Sequence, residues 1–336
     1  MTFDLAFIWA GLIAFAVLAY VVVDGFDLGI GILFPAFTEK RDRDVMMNTV
    51  APVWDGNETW LVLGGGGLFA VFPLAYAIIM PALYAPIIAM LLALVFRGVA
   101  FEFRWKVPEG APRNVWDWAF AGGSAGAALA QGIALGALVQ GIPVANRAYA
   151  GGWWDWLTPF SLVTGVAVLI GYAALGAGWL ILKTTGELQQ RAYQLAWTLG
   201  LALLAAIAIV SAWTPFLDPV YMQRWFAWPA MLYALPVPLL VLACAALLLK
   251  GVQDRQDALP FLATVGLFVV CFIGLGIGFY PYIVPHSVTI WQAAAPDSSL
   301  GFLLIGAAVL IPIILAYTAH AYWVFRGKTD EGAGYH

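Results

Sequence analysis

Long apolar stretches recur along the chain and are separated by short polar segments that hold most of its charged residues. A stretch of about 20 apolar residues is long enough to cross a bilayer as a helix. Dividing the run from Thr59 to Phe96 into two helices requires a tight turn, which the pattern places at Phe72, Pro73 and Leu74. The sequence then predicts nine membrane-spanning helices, at residues 5–33, 54–73, 76–100, 116–140, 157–182, 192–213, 226–249, 259–281 and 300–325.

The composition supports a polytopic, all-α membrane protein. The 336 residues are 63% hydrophobic and only 10% charged, whereas a soluble domain carries roughly 25% charged residues. The N-terminus lacks the basic region and the cleavage site of a signal peptide, so we expect the first apolar segment to remain as a span. Glycines four residues apart, at 25/29, 122/126, 132/136 and 274/278, predict close helix contacts. The formal charge of −4 and the lack of a basic patch argue against a nucleic-acid partner.

The basic residues predict the orientation. When the predicted loops are assigned to alternating sides, one side receives only Arg147 and Arg224, and Arg97 lies within a span. Since cytoplasmic loops carry the excess of Lys and Arg, the sequence predicts a periplasmic N-terminus and a cytoplasmic C-terminus. The twelve basic residues on the cytoplasmic side are Lys40, Arg41, Arg43, Arg104, Lys106, Arg113, Lys183, Arg191, Lys250, Arg255, Arg326 and Lys328.

Two acidic residues, Asp24 and Asp27, stand one helical turn apart near the end of the first span. An ionised acid in a bilayer costs ~2.5 to 3.5 kcal/mol on insertion scales, so it usually has a partner or a function. Counted from Leu5 at the outer surface, Asp24 lies about 28 Å along the helix, near the predicted cytoplasmic end of the hydrocarbon layer. The residues alone leave two interpretations open: a salt-bridged structural pair and a path for protons or cations.

The next two predicted spans bring further charges to the same depth. The second begins with Asp55 and Glu58, three residues apart on one helical face, and the third ends with Arg97 and Glu102. One arginine cannot neutralise four acids, so we expect a coupled group that shares or holds at least one proton near neutral pH. The alternative is that Asp55 caps the second helix and that Glu58, in its first turn, interacts favourably with the helix dipole.

The histidines and cysteines predict no haem or metal site. A haem with two histidine ligands needs imidazoles that face each other, but His286 falls in an outer loop, His320 near the inner end of span nine, and His336 at the terminus. The two cysteines lie in separate apolar segments, without the spacing of a zinc or copper site. If the chain belongs to a redox complex, we expect the metals to lie in another subunit.

Five segments resemble subunit II of the cytochrome bd-type quinol oxidases, most closely the cyanide-insensitive branch. They are DGFDLGIGILFP at 24–35, MMNTVAPVWDGNETWLVLGGGGLFAVFPLAY at 46–76, FRGVAFEFR at 96–104, QGIPV at 140–144 and FYPYIVPHSVTIWQAAAP at 279–296. The resemblance runs nearly end to end and is densest in the first hundred residues. It implies two four-helix bundles and a peripheral ninth helix, with the first bundle and the acids in 1–140, the second bundle in 141–281, and an outer loop, the ninth helix and a cytoplasmic tail in 282–336.

The resemblance also implies a function in the bacterial inner membrane. Such oxidases reduce O2 to water with electrons from quinol and protons from the cytoplasm. Their subunit I carries two b-type haems and either a haem d or a third b-type haem, so this chain would be its haem-free partner and would stabilise it. A small single-span subunit, quinone and membrane lipid are further implied partners. The resemblance implies a proton path through Asp24, Asp27 and Asp55, with Glu58 as a weaker member. From the charges at the inner ends of the spans, we expect Arg97 and Glu102 to be the charge partners of this path. Glu58 differs from relatives that carry glutamine there.

Two other functions use the same acids. An ion-coupled secondary transporter would place a polar site near the bilayer midplane between broken helices, whereas the charges here lie towards one face. In a purely structural scaffold, the acids would only dock the partner subunit. Neutralising the acids distinguishes the two roles. If the acids only dock the partner, the complex should fail to assemble; if they carry protons, the complex should assemble but turn over more slowly.

Overall fold

The computed structural model of the protein describes residues 4–329, so His336 lies outside the described residues. Within that range the chain forms helices joined by short loops, with two small antiparallel hairpins and two 3-10 turns, at Phe34–Ala36 and Thr214–Phe216. The helices are α1 Leu5–Leu33, α2 Lys40–Val50, α3 Trp54–Val71, α4 Pro73–Ala82, α5 Tyr84–Phe103, α6 Ala111–Gln140, α7 Pro159–Lys183, α8 Gly186–Trp213, α9 Pro219–Phe226, α10 Ala230–Ala234, α11 Pro236–Gln253, α12 Leu259–Phe279, α13 Ile290–Ala293 and α14 Asp297–Val324. The strands are β1 Val144–Ala145, β2 Ala148–Tyr149, β3 Tyr282–Val284 and β4 Val288–Thr289.

Eight helical segments of the described chain are long and apolar enough to cross a membrane: α1, α5, α6, α7, α8, α10 together with α11, α12 and α14. The predicted all-α, multi-pass membrane fold is therefore confirmed. Helix α3 is less apolar, since its first turns carry Asp55, Asn57 and Glu58, but it has 18 residues. At about 1.5 Å per residue it extends for roughly 27 Å.

The turn predicted at Phe72 is present, but the following span is divided. Helix α3 ends at Val71 and α4 begins at Pro73, a position where the missing N–H of proline costs nothing. Helix α4 then stops after ten residues and α5 starts at Tyr84, so the predicted helix 76–100 was wrong as a single element. The reason is Pro86, which cannot donate to the carbonyl of Ala82 and so interrupts the helical hydrogen bonds.

Helix α1 lies at the centre and packs against α3, α6 and α7. Its closest approach is to α7, where Gly29 faces Gly176: a Cβ built on Gly29 would lie 2.0 Å from the carbonyl oxygen of Tyr172. Close by, the rings of Phe26 and Trp179 stack with centroids 4.2 Å apart. The glycine spacing in α1 thus marks a close helix contact, as the sequence predicted.

The loops gather at two ends of the helical bundle. At one end, which we call the basic end, ion pairs link α2 to α6 and α8 and link the segment after α14 to the loop before α12; among them are Arg43–Asp117 at 2.9 Å and Lys328–Asp257 at 2.8 Å. At the other, the hairpin end, α4 and α13 lie beside the hairpins, and Ala295 donates a backbone hydrogen bond to Val71.

Candidate functional site

The guanidinium of Arg97 lies among three carboxylates near the basic end. Its Nη2 is 2.8 Å from Oδ1 of Asp24 and 3.8 Å from Oδ2 of Asp27, and its Nη1 is 3.5 Å from Oε2 of Glu58. The side chains of Arg97, Asp24 and Asp27 have no exposed surface, whereas 27% of the Glu58 side chain is exposed. One cation from α5 therefore connects two acids of α1 and one of α3; we call these four residues the Arg97 cluster.

Local sequence explains how the Arg97 cluster is enclosed. Helix α6 can approach α5 because Gly123 has no side chain; a Cβ there would lie 2.9 Å from the backbone nitrogen of Arg97. On another side, the rings of Trp54 and Phe101 stack 4.7 Å apart, and each ring centroid is 5.9 Å from the guanidinium carbon. These distances fit cation–π contacts, so aromatic residues complete the surroundings of the buried cation.

The charges of the Arg97 cluster do not balance. If all three acids were ionised, two negative charges would remain without a partner in surroundings with little water. Burying an unpaired carboxylate is costly, and neighbouring carboxylates that interact strongly titrate as one group. Binding of one proton halves the excess, and binding of two removes it. The arrangement can therefore take up and release protons.

Asn57 extends the Arg97 cluster towards α14. Its Nδ2 donates to Oδ2 of Asp27 at 2.7 Å and to the carbonyl of Val23 at 3.2 Å, and its Oδ1 accepts from the hydroxyl of Tyr322 at 2.9 Å. Sequence reasoning missed both Asn57 and Tyr322. The available signal was the amide of Asn57 beside Glu58 at the start of an apolar helix; nothing in the sequence links it to a tyrosine 265 positions away.

A second polar chain lies on the other side of Asp24. The hydroxyl of Tyr172 in α7 donates to Oε1 of Gln131 at 2.8 Å, and Nε2 of Gln131 donates to the hydroxyl of Tyr20 at 2.7 Å. Tyr20 stands one helical turn before Asp24, next to its carboxylate. These three residues were also missed, because isolated Tyr and Gln residues are common in apolar helices.

Two of the predicted residues lie outside the Arg97 cluster. Asp55 is exposed in the first turn of α3, and Val53 rather than Asp55 occupies the N-cap position. The side chain of Glu102 is 61% exposed and lies 3.5 Å from Lys106, one helical turn further on. The structure therefore does not bring Glu102 to Arg97, and the helical geometry of α5 turns the two side chains to different faces.

A separate buried ionic group lies at the basic end. Arg104 has no exposed side-chain surface; its Nη1 is 2.6 Å from Asp44 and its Nε is 2.5 Å from Asp117. The second oxygen of Asp117 is 2.9 Å from Nη1 of Arg43. These four residues, which we call the Arg104 cluster, contain two positive and two negative charges, so they balance. The sequence analysis had counted Arg43 and Arg104 among the cytoplasmic basic residues and had not predicted this cluster.

The described residues contain no group of three or more His, Cys, Asp or Glu side chains placed to hold a metal ion. His286 lies at the hairpin end, with Nδ1 3.6 Å from Asp218. His320 is exposed on α14. The two described histidines thus occupy opposite parts of the fold and do not face each other.

Comparison with known proteins identifies the family. Residues 5–325 match the family model described as "Cytochrome bd terminal oxidase subunit II". The chain belongs to the cytochrome bd terminal oxidase subunit II family. It is therefore a multi-pass protein of the bacterial inner membrane and a component of an oxidoreductase complex that contains haem and a subunit I.

Relatives of this subunit II match over nearly their whole length. Subunit 2 of the cytochrome bd-I ubiquinol oxidase of Escherichia coli strain K12 is 32% identical, with 97% of this chain and 96% of the relative covered. Subunit 2 of the cytochrome bd ubiquinol oxidase of Bacillus subtilis strain 168 is 30% identical, with 96% of each covered. A chain in the structure of bd oxidase from Geobacillus thermodenitrificans shares the fold, with a TM-score of 0.76 at 16% identity over 96% of this chain and 99% of that one.

Proposed function

We propose that this subunit II binds no haem and carries protons from the cytoplasm towards subunit I, where quinol electrons reduce O2 to water. The observation that carries the proposal is the contact of Arg97 with Asp24, Asp27 and Glu58. Such an unbalanced buried group exchanges protons, whereas a purely structural ion pair needs only equal charges.

The direction of transfer follows from the distribution of basic residues. The ion-paired loops of the basic end carry the Lys and Arg excess that marks the cytoplasmic side. We therefore propose nine membrane crossings, with α3 included, a periplasmic N-terminus and a cytoplasmic C-terminus. On this orientation the Arg97 cluster lies near the cytoplasmic end of the hydrocarbon layer, so that protons enter it from the cytoplasm.

The proposed route starts at Asp55. This acid is exposed, and it precedes Glu58 by three residues on the same helix. Glu58 is partly exposed and reaches Arg97, so it connects the surface with the buried pair Asp24 and Asp27. These four acids, one exposed, one partly exposed and two buried, offer successive proton carriers.

The face of α3 supports a docking role as well. Beyond Glu58, the helix exposes Val62 (72%) and Phe69 (61%), together with the glycines at 65 and 66. An apolar face rich in small residues suits helix packing within a membrane. We propose that subunit I packs against this face of α3. The contact would stabilise subunit I, and subunit I would receive the protons. The proposal also includes the cofactors of subunit I, which are two b-type haems and either a haem d or a third b-type haem. It further includes quinol as the electron donor and a small single-span subunit.

The test uses the assembled oxidase with Asp24→Asn or Asp55→Asn. We expect oxygen consumption with quinol to fall about tenfold or more, in the range that loss of a proton-transfer group produces, while the haem absorption spectrum is unchanged. Glu187→Gln, an exposed acid at the basic end, is the matched control and should retain full turnover.

The same variants separate the proton route from a structural scaffold. Unchanged oxygen consumption with intact haem bands would refute the proton route. Loss of the haem-containing complex, with no assembled enzyme to measure, would instead favour a scaffold whose acids dock subunit I.

A further inference from the structure

The side chain of Asn57 is almost completely enclosed, and each of its polar atoms has a partner. Its residue exposure is 1%. The amide nitrogen donates to Asp27 and to the carbonyl of Val23, and the amide oxygen accepts from Tyr322. With an acceptor at Asp27 these contacts favour one orientation, because the carbonyl of Val23 can only accept and so also pairs with the NH2 group.

This orientation suits only one protonation state of Asp27. An ionised carboxylate accepts hydrogen bonds, so it pairs with the NH2 group of Asn57. A protonated carboxyl group has an O–H that needs an acceptor, and a buried donor without one is costly. Rotation of the amide by half a turn would place the oxygen of Asn57 opposite Asp27 and satisfy that O–H. It would give up the longer hydrogen bond to the carbonyl of Val23, which lies inside helix α1.

Tyr322 is the partner that permits the rotation. A tyrosine hydroxyl can donate to the amide oxygen and can equally accept from the amide nitrogen. The ring of Tyr322 is held at 6.4 Å from the ring of Phe26 and 6.3 Å from that of Trp179, so the hydroxyl stays within reach. Helix α14 otherwise packs loosely: Leu300 is its one buried residue within the described range.

We propose that Asn57 and Tyr322 are positioning residues whose hydrogen bonds reverse direction when Asp27 gains or loses its proton. With Asp27 ionised, the hydroxyl of Tyr322 donates to Asn57 and Asn57 donates to Asp27. With Asp27 protonated, Asp27 donates to Asn57 and Asn57 donates to Tyr322. No proton passes along the amide, which only rotates. This inference rests on the proposed proton transfer through Asp27.

The test is Tyr322→Phe in the complete purified oxidase, with Tyr317→Phe as control. Tyr317 lies on the same helix and is 69% exposed. Without the hydroxyl of Tyr322, rotation of the Asn57 amide would bury an NH2 group that has no acceptor. The amide therefore keeps the orientation that suits ionised Asp27, and protonation of Asp27 becomes less favourable. We expect the alkaline limb of the pH–turnover profile to move to lower pH by about 0.5 to 1 unit, as loss of one hydrogen bond would produce.

Infrared difference spectroscopy gives an independent readout. The C=O stretch of protonated Asp27 is the band that disappears in Asp27→Asn. In Tyr322→Phe this band should move to higher wavenumber, because the carboxyl group loses its acceptor, and in Tyr317→Phe it should stay in place. A merely structural tie between α14 and α3 would lower stability without moving the band.

A double-mutant cycle makes the test specific. In an Asn57→Ala background, Tyr322→Phe should shift neither the pH profile nor the band any further; an undiminished shift would overturn the inference. If the oxidase with Asn57→Ala does not assemble, the comparison of Tyr322→Phe with Tyr317→Phe is sufficient to test the inference.

The outcomes also separate this inference from the proposed function. Suppose that Asp27→Asn slows turnover but Tyr322→Phe shifts neither the alkaline limb of the pH–turnover profile nor the C=O band of Asp27. The proposed reversal of the hydrogen bonds is then refuted, and the proton route stands. If Asp27→Asn leaves turnover unchanged, the proton route through Asp27 fails, and the infrared band alone decides the reversal.

Discussion

Arg97 lies within α5 and Arg104 caps the end of that helix about two turns later, and neither side chain has any exposed surface. They differ in the charges they meet. Arg104 meets Asp44 and Asp117, and Asp117 also meets Arg43, so the charges of the Arg104 cluster cancel. Arg97 alone faces three acids. The same helix thus carries one balanced ionic cluster suited to holding helices together and one unbalanced cluster suited to proton exchange.

Removal of the buried cation should be severe. Arg97→Leu leaves Asp24 and Asp27 without a counter-charge, and breaking a buried pair in this way costs about 3 to 5 kcal/mol. We expect a large fall in the temperature at which the purified complex loses its haem absorption. Lys106→Gln, at an exposed position of the same region, should leave that temperature unchanged. An Arg97→Leu complex as stable as the unmodified one would show that the acids are already neutral.

The Arg104 cluster should affect stability rather than rate. Arg104→Leu leaves Asp44 without its buried partner and removes the ion pair that holds α2 to the end of α5, so backbone amides of α2 should exchange faster with deuterium. Turnover per assembled, haem-containing complex should remain close to that of the unmodified enzyme, because no proton carrier is touched. A change in turnover without faster exchange in α2 would contradict this assignment.

The contact between α1 and α7 gives a steric prediction. In Gly29→Ala the new methyl group would overlap the carbonyl of Tyr172, and overpacking of this kind costs about 1 to 3 kcal/mol. Thermal denaturation should show a clearly less stable complex. Gly11→Ala in the same helix is the control, because a Cβ there would have no neighbour within 4 Å. Equal stability of the two variants would mean that α1 and α7 are further apart than described.

A pH dependence follows for the segment after α14. The hydrogen bond from Lys328 lowers the pKa of Asp257 below its ordinary value of 3.8, and Tyr193 and Gln189 add further hydrogen bonds. A carboxyl group with a lowered pKa in the folded protein stabilises it above pH ~4, and this contribution disappears as the pH falls through the lowered value. Since Asp257 is half-exposed, the contribution is under about 1 kcal/mol.

The measurement is amide exchange at Thr329, whose N–H bonds to the carbonyl of Lys183. Its protection should drop as the pH falls below 4, by more than the intrinsic change in exchange rate, and Asp257→Asn should remove the excess. Salt near 1 M should weaken the protection at neutral pH. Protection that is the same in Asp257→Asn and the unmodified protein would exclude this ion pair as the anchor.

Part of the Arg97 cluster could be predicted because charged residues stand out in apolar segments. Asp24, Asp27 and Arg97 each interrupt a run that the bilayer would otherwise accept, so partners were expected and were found. Glu102 is only five residues from Arg97 in sequence, yet it faces outward, because the rotation around the helix rather than sequence distance decides which side chains meet.

The sequence by itself determined the membrane class, the approximate position of most spans, the position of the turn at Phe72 and the presence of acids near one end, since each depends on local hydropathy and residue type. Tertiary structure alone decided that Asn57 meets Tyr322, that Gln131 joins Tyr20 to Tyr172, and that Arg104 is buried. Uncharged polar residues carry only a weak local signal, and their hydrogen bonds depend on how helices far apart in the chain are rotated against each other. That rotation is set by packing across the whole bundle, which no local pattern records.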